Sequence, residues 1–252
     1  ICFFMIIGYK SYEIMEIIKS EIYNLVNIRM GLDDIFGIYY NLGLDDGKNL
    51  RSLIENQLYL KLFTRKITFL ELVKKTGYNL IVTGTNINTG ITEYFNVDTY
   101  PDMNVIDALM ISSCLPPIYK PIKFNGGLYI DGGVYQNFPL EYFDKTKNDT
   151  LGIGLKYINK IDEDGRGINF IEYIMNIIFT LMENFNYKNV KLEEYNICFI
   201  KFDSNLYSDL KICSDTMRLL INNKNIDIYF DEGNKQFKEF YDKHMDTIHK
   251  IQ

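Results

Sequence analysis

A residue suited to acid–base chemistry follows a short apolar run near the middle of the chain. The run 128–130 (Leu-Tyr-Ile) precedes Asp131, and Gly132 and Gly133 come directly after it. A carboxylate that accepts a proton from a nucleophile must be held in a fixed position, which the end of a strand provides. The glycines would let the backbone turn sharply and let another segment approach closely. Asp-Gly pairs are also common in tight turns, so these residues alone favour a turn role over catalysis.

Histidines and cysteines indicate little further chemistry. His244 and His249 lie in a polar stretch near the C-terminus, where we expect solvated side chains, so a Ser-His-Asp triad is not favoured. No cysteine belongs to a C-x-x-C pair, which argues against a zinc site or a disulfide framework and favours free thiols in a reducing compartment. The four cysteines are Cys2, Cys114, Cys198 and Cys213.

Other polar residues are interpreted as structural. Ser112 and Ser113 fall at a predicted helix end before two prolines, where packing or capping is expected. The acidic pairs Asp33-Asp34 and Asp45-Asp46 could suggest a cation site, but no alternating ligand loop follows them, so solvated loops or helix N-caps are favoured. Residues expected in turns or on strand faces are Asn86, Asn88 and Glu93.

The pattern of apolar residues predicts alternating helices and strands. Helical spacing marks the segments 11–27, 50–58, 67–77, 105–110, 168–182, 208–222 and 232–250. Two hairpins are predicted, one turning at Asn88-Thr89-Gly90 and one at Asn125-Gly126. The short apolar runs 150–156 and 196–202 are typical of buried parallel strands. This order predicts an α/β domain with a largely parallel sheet.

Composition sets wider limits. The chain has 252 residues, of which 47% are hydrophobic and 24% charged, enough for one large globular domain. Its formal net charge of −6 and the lack of a basic stripe give no indication of nucleic-acid binding. The first residues, "ICFFMIIGY", are too short an apolar run to span a bilayer and are interpreted as a buried strand or part of a buried helix.

Between residues 80 and 140 several motifs follow one another in a particular order. A hairpin turn, Thr85-Asn-Ile-Asn-Thr-Gly90, precedes a helix that ends Ser112-Ser-Cys-Leu-Pro-Pro117. Tyr129-Ile-Asp-Gly-Gly133 and Asn137-Phe-Pro-Leu140 come next. This ordered set resembles the patatin-like phospholipase family, and weaker similarity extends over most of the chain.

The resemblance implies a fold and an activity. The implied fold is a three-layer α/β domain with a largely parallel central sheet, covering residues 1–252. The implied activity is that of a serine lipid acyl hydrolase with a Ser-Asp dyad, in which Asp131 of the motif Asp131, Gly132 and Gly133 accepts the serine proton. No cofactor or metal is implied. The implied partner is a lipid ester at a membrane or lipid-droplet surface, with the protein cytoplasmic and either free or peripheral to membranes.

The sequence departs from the family pattern in two respects. No serine has glycine both two positions before it and two positions after it, as the G-x-S-x-G elbow requires, and no Gly-rich oxyanion segment occurs. The opening run resembles the helix that follows such an elbow. We therefore expect an N-terminally truncated domain, whose nucleophile lies just before Ile1.

Two other interpretations stay open. The chain could be a catalytically inactive patatin-like module for lipid binding or protein interaction, or an unrelated α/β domain with an Asp-Gly turn. A further hypothesis is that an exposed apolar loop, Leu115–Tyr119, contacts a lipid surface.

Overall fold

The computed structural model describes residues 1–25, 39–158, 173, 174, 177, 180, 195–203 and 223–251. They belong to two compact units: Ile1–Asn137 with Phe170–Asn186, and Phe138–Asn169 with Tyr187–Gln252. The predicted helix at 208–222 lies outside the described residues, as does most of the one at 168–182.

Helices form where the apolar spacing predicts them. The first unit contains the helices Cys2–Ile6, Ser11–Leu25, Lys48–Leu62, Phe69–Thr76, Val105–Ser112 and Gly133–Gln136, and the second contains a 3-10 helix, Leu140–Asp149, and a long helix, Asn223–Ile251. The opening run is therefore helical. The helix Phe69–Thr76 illustrates the local causes: Thr68 and Glu71 form a reciprocal capping box at its start, and Gly77 ends it in the left-handed conformation.

Both predicted hairpins are present in one four-stranded sheet. Its strands are β1 (Val82–Asn86), β2 (Ile91–Phe95), β3 (Ile122–Phe124) and β4 (Gly127–Asp131). All neighbours are antiparallel, in the order β2-β1-β4-β3, so the two hairpins join through the β1–β4 pair.

A largely parallel central sheet is not confirmed by the described strands. The parallel pair is confined to the second unit, where β5 (Leu151–Ile158) lies beside β6 (Asn196–Asp203), as predicted for these two runs. One face of β5 is more exposed than predicted, since Ile153 and Leu155 are each 55% exposed. Alternating apolar residues predict a strand but carry no information about which strand becomes its partner.

The helix Val105–Ser112 forms the centre of the first unit's core. Val105, Ile106, Ala108 and Ile111 are fully buried. The helix packs against β1, where a Cβ atom on Gly84 would lie 2.9 Å from the Phe95 ring and closer still to Ile111 Cγ2. Glycine is therefore required at this position to let helix and sheet approach each other.

The segment Leu115–Tyr119 is not the exposed apolar loop that the sequence suggests. Ile118 is only 6% exposed and belongs to the core. Its N–H donates to the carbonyl of Leu115 at 3.0 Å, and the segment folds back on itself. Among the described residues, no helix is both long enough and apolar enough to cross a bilayer.

The close packing at Gly84 leads to a stability prediction. We expect Gly84→Ala to lower the free energy of unfolding by about 1–3 kcal/mol, because the added methyl group overlaps Ile111 and Phe95. Gly233→Ala is the matched control. Gly233 lies in the helix Asn223–Ile251 with open space at its Cβ position, so alanine there should stabilise by roughly 0.5–1 kcal/mol. Urea denaturation followed by circular dichroism measures both, and an unchanged midpoint for Gly84→Ala would contradict the packing described.

Candidate active site

Asp131 is the last residue of β4, and its backbone is held from two directions. It pairs with Gly84 in the centre of the sheet. Its N–H donates to the carbonyl of Cys114 at 3.0 Å, which ties the end of β4 to the segment that follows the helix Val105–Ser112. The N–H of Gly133 donates to Asp131 Oδ1 at 2.7 Å. Asp131 is thus part of a turn, as its sequence suggests, and also rigidly positioned.

Gly132 lets the chain cross over β1 immediately after Asp131. A Cβ atom on Gly132 would lie 2.7 Å from both the carbonyl carbon and the Cβ of Thr83, and the Thr83 backbone cannot move aside. The φ angle of Gly132 is −61°, which any residue can adopt, so close approach is the reason for glycine here. The chain then enters the short helix Gly133–Gln136, whose Gln136 N–H donates to the Gly132 carbonyl at 2.9 Å.

The environment of the Asp131 carboxyl group differs from that of an ordinary turn aspartate. Burial raises the pKa of Asp131 to about 6, and the hydrogen bond from Gly133 opposes this rise only in part. Among the described residues, no donor reaches the second oxygen, Oδ2. A carboxylate with a pKa near 6 is mostly ionised at neutral pH yet is more basic than a solvated aspartate, which suits a general base.

The neighbouring thiol is not a nucleophile. Cys114 is 2% exposed, and its Sγ donates to the carbonyl of Lys120 at 2.6 Å. Burial, followed by the nearby negative charge of Asp131, raises the pKa of the Cys114 thiol to about 12. The thiolate is the reactive form of cysteine, so this side chain is inert at neutral pH.

The serines near Asp131 have structural roles in the described residues. Ser113 Oγ donates to the carbonyl of Leu109 at 2.9 Å, one turn back in the helix, in agreement with the predicted packing role. Ser112 is the last residue of the same helix. No serine hydroxyl donates to Asp131 within the part of the chain that the structure describes, so the described residues supply the candidate base without a nucleophile.

A second carboxylate lies in the same cross-strand row as Asp131. Glu93 and Asp131 both pair with Gly84, one on each side. Glu93 Oε1 accepts hydrogen bonds from Tyr129 Oη at 2.9 Å and from Asn86 Nδ2 at 3.0 Å. Its other oxygen accepts one from Tyr100 Oη at 2.9 Å. This network was not predicted from the sequence, because its donors come from two different strands and a loop.

Glu93 and Asp131 have opposite pKa shifts. Burial acts to raise the pKa of Glu93, yet its three hydrogen-bond donors together lower it below the usual value. Burial, and then the hydrogen bond to Glu93, raises the pKa of Tyr129 to about 12, so this phenol stays protonated and continues to donate. Glu93 is therefore an ionised acceptor at neutral pH that joins strands, whereas Asp131 can exchange a proton near neutral pH.

The asparagine and aspartate residues of the turns, and His244, take turn and surface roles. Asn88 Oδ1 accepts from the N–H of Leu128 at 2.7 Å, and Asp45 Oδ1 accepts from the N–H of Gly47 at 2.7 Å. Asp46 pairs with Lys48 at 2.6 Å. His244 is exposed and stacks on Phe240, whereas the pair 33–34 lies outside the described residues. The described residues contain no group of three or more potential metal ligands.

Comparison with known proteins decides the family. A family model described as "Patatin-like phospholipase" matches residues 11–144, just over half of the chain. "Probable lipid hydrolase 463L" of Invertebrate iridescent virus 6 is 34% identical over 227 residues, which cover 89% of this chain and 72% of the viral protein. The chain belongs to the patatin-like phospholipase family. The family match spans the hairpins, the helix Val105–Ser112 and Asp131.

Other relatives of this patatin-like chain are more distant. "Uncharacterized protein R571" of Acanthamoeba polyphaga mimivirus is 29% identical over 184 residues, and the match covers 69% of this chain and 59% of that protein. The crystal structure of VipD from Legionella pneumophila aligns with a TM-score of 0.36 and 14% identity, and covers 88% of this chain and 45% of that one.

The raised pKa of Asp131 predicts a pH-dependent stability. A carboxyl group with a folded-state pKa of about 6, against an ordinary value near 3.8, destabilises the fold when ionised. Because the folded protein holds the proton more tightly, stability falls as pH rises from about 4 to 6 and the deficit stays constant above that. We expect Asp131→Asn to raise the free energy of unfolding by roughly 1–3 kcal/mol at pH 7.5, with the gain disappearing below pH 4.

Urea denaturation at several pH values measures this difference. Asp102→Asn, at an exposed turn position, is the matched control and should change stability by less than about 0.5 kcal/mol at every pH. A stability difference for Asp131→Asn that does not vary with pH would show that the Asp131 carboxyl group titrates normally.

Proposed function

We propose that this patatin-like chain is the larger part of a serine lipid acyl hydrolase, in which Asp131 is the general base of a Ser-Asp dyad. The single observation that supports it is the Asp131 carboxyl group, rigidly held at the end of β4, partly buried, and with a pKa of about 6. The viral relative described as a lipid hydrolase supports the choice of lipid esters as the substrate class. The nucleophilic serine is proposed to come from a polypeptide segment that precedes Ile1.

In the proposed reaction, the serine hydroxyl attacks the carbonyl carbon of a fatty-acyl ester while its proton passes to the Asp131 carboxylate. The protonated Asp131 then gives this proton to the departing alcohol, and an acyl-serine remains. In the second half, a water molecule loses its proton to Asp131 and attacks the acyl-serine. The fatty acid is released and the proton returns to the serine oxygen. Gly133 N–H holds Oδ1, which leaves Oδ2 for the proton transfers.

The first test of this proposal is an activity measurement with a matched pair of variants. The protein is expressed from its reading frame together with the codons upstream of Ile1, and fatty-acid release from phosphatidylcholine and from a soluble short-chain ester is measured. Asp131→Asn should lower kcat by about 10²–10⁴-fold, the usual contribution of a general base. Asp102→Asn should leave kcat unchanged. Equal activity of Asp131→Asn and the wild type would rule out the proposed role.

The second test is the pH profile of the same upstream-extended protein. Asp131 must be ionised to act as a base, so kcat/KM should rise with pH, reach half its maximum near pH 6, and level off above pH 7. An ordinary aspartate would place the midpoint near pH 4. A profile that is flat between pH 4.5 and 7 would therefore contradict Asp131 as the titrating base.

A catalytically inactive lipid-binding module is the second candidate. It is favoured by the lack of a glycine-flanked serine in the 252 residues. The upstream-extended protein distinguishes the two candidates, because an inactive module would release no fatty acid while still binding lipid.

A further inference from the structure

The C-terminal end of the helix Lys48–Leu62 carries an exposed apolar surface. Phe63 is 82% exposed, Leu60 is 64% exposed and Tyr59 is 47% exposed. Phe63 is the residue that ends the helix, and it follows Leu60 by three positions and Tyr59 by four. The rings of Tyr59 and Phe63 meet edge to face with centroids 6.5 Å apart. Together with Arg65 and Lys66, they are called the Phe63 patch below.

Both the backbone conformation and the exposure of Phe63 are unfavourable for a phenylalanine. Its backbone is left-handed, with φ 55° and ψ 29°, a conformation that favours glycine or asparagine at the end of a helix. Its side chain gains no burial in return. Burial of the side chain does not offset this strain, and such outliers occur preferentially at functional sites. Phe63 is therefore a candidate for contact with something outside the chain.

The charge around Phe63 indicates the chemistry of that contact. The run 59–66 contains three basic residues and no acidic one, in a chain with a net charge of −6. Lys61 already forms an ion pair within the chain, since its Nζ lies 3.2 Å from Glu13 Oε1. Arg65 and Lys66 are exposed, and neither has an acidic partner in the described part of the chain. Salt screens charges beyond about 8–10 Å, so the local charge at this surface matters more for binding than the overall net charge.

We propose that the Phe63 patch is the surface by which the protein binds an anionic lipid membrane. Phe63 and Leu60 would enter the boundary between headgroups and acyl chains, and Arg65 and Lys66 would pair with acidic headgroups. Tyr59 suits the same boundary, because its ring is apolar and its hydroxyl is polar. The Arg65 guanidinium lies 5.2 Å from the centre of the Tyr59 ring, which holds the cation beside the apolar side chains. This inference rests on the proposed lipid substrate, but its test does not require catalysis.

The absence of tryptophan from the chain allows a direct test. Phe63→Trp places the chain's single tryptophan in the patch, where its emission can be excited separately from that of the tyrosines. Tyr241→Trp places a single tryptophan at a different exposed aromatic position, 52% exposed on the helix Asn223–Ile251. Vesicles of phosphatidylcholine mixed with phosphatidylserine should shift the emission of Phe63→Trp to shorter wavelength. The same vesicles should leave the emission of Tyr241→Trp unchanged. Equal behaviour of the two variants would overturn the proposal.

Vesicle sedimentation measures the contribution of each part of the patch. Phe63→Asn should lower the partition coefficient on mixed vesicles by roughly tenfold or more, since the lost burial of one aromatic side chain is of that size. Asparagine tolerates the left-handed backbone, so this variant should be at least as stable as the wild type. Arg65→Gln with Lys66→Gln should weaken binding to mixed vesicles about fivefold per charge, without effect on pure phosphatidylcholine.

Three results would contradict the proposal. The first is undiminished sedimentation of Phe63→Asn with mixed vesicles. The second is binding that does not depend on phosphatidylserine or on salt. The third is concentration-dependent self-association that Phe63→Asn abolishes in the absence of lipid, which would assign the patch to a second copy of the chain. Binding by Asp131→Asn at the wild-type level would separate docking from the proposed catalytic role.

Discussion

The absence of a side chain at Gly84 is the constraint on which the candidate site depends. Any larger residue would hold the helix Val105–Ser112 away from β1. With glycine there, the end of the helix comes close enough for the carbonyl of Cys114 to accept the N–H of Asp131. This contact places the carboxylate where it is partly removed from water. Burial raises the pKa of this carboxyl group, so the packing of the helix on the sheet contributes to the acid–base property of a side chain on the neighbouring strand.

The same sheet holds two carboxyl groups whose pKa values are shifted in opposite directions, and the difference arises from the number of hydrogen-bond donors. Glu93 receives three hydrogen bonds from side chains, and they keep it ionised despite burial. Asp131 receives one from a backbone N–H, which does not offset its burial. Glu93 and its donors connect β1, β2 and β4, so β4 is held firmly just two residues before Asp131. A rigid strand and a carboxylate with a free oxygen are the two properties that a general base requires.

Local features of the fold could be predicted from the sequence, because their causes are local. The hairpin turns at Asn88-Thr89-Gly90 and Asn125-Gly126 follow from turn chemistry, and the end of the helix Phe69–Thr76 follows from Gly77. The β1–β4 pairing could not be predicted in this way, since it joins strands that are more than forty positions apart. The antiparallel arrangement of the main sheet depends on that pairing.

For the site, the position of Asp131 could be predicted, but its environment could not. The motif Asp131-Gly132-Gly133 marks a turn at the end of a strand, and the structure contains that turn. The approach of Cys114 and of Thr83 to this motif depends on how separate elements pack, which no spacing in the sequence records. At Ile118 the expectation from the sequence is wrong. It lies in an apolar run beside two prolines that suggested an exposed loop, yet tertiary contacts bury it.

Asp131 and Phe63 have one property in common. At each position, the environment that the residue type prefers differs from the environment that the structure provides. A carboxyl group is poorly suited to partial burial, and a phenylalanine is poorly suited to a left-handed, exposed backbone position. The capping box of Thr68 and Glu71 is an example of the usual case, in which local preference and fold agree. Asparagine would suit stability better at both positions. A sequence selected only for folding has no reason to keep such residues, whereas a protein that transfers a proton beside a lipid surface needs both a poised carboxylate and an exposed apolar contact.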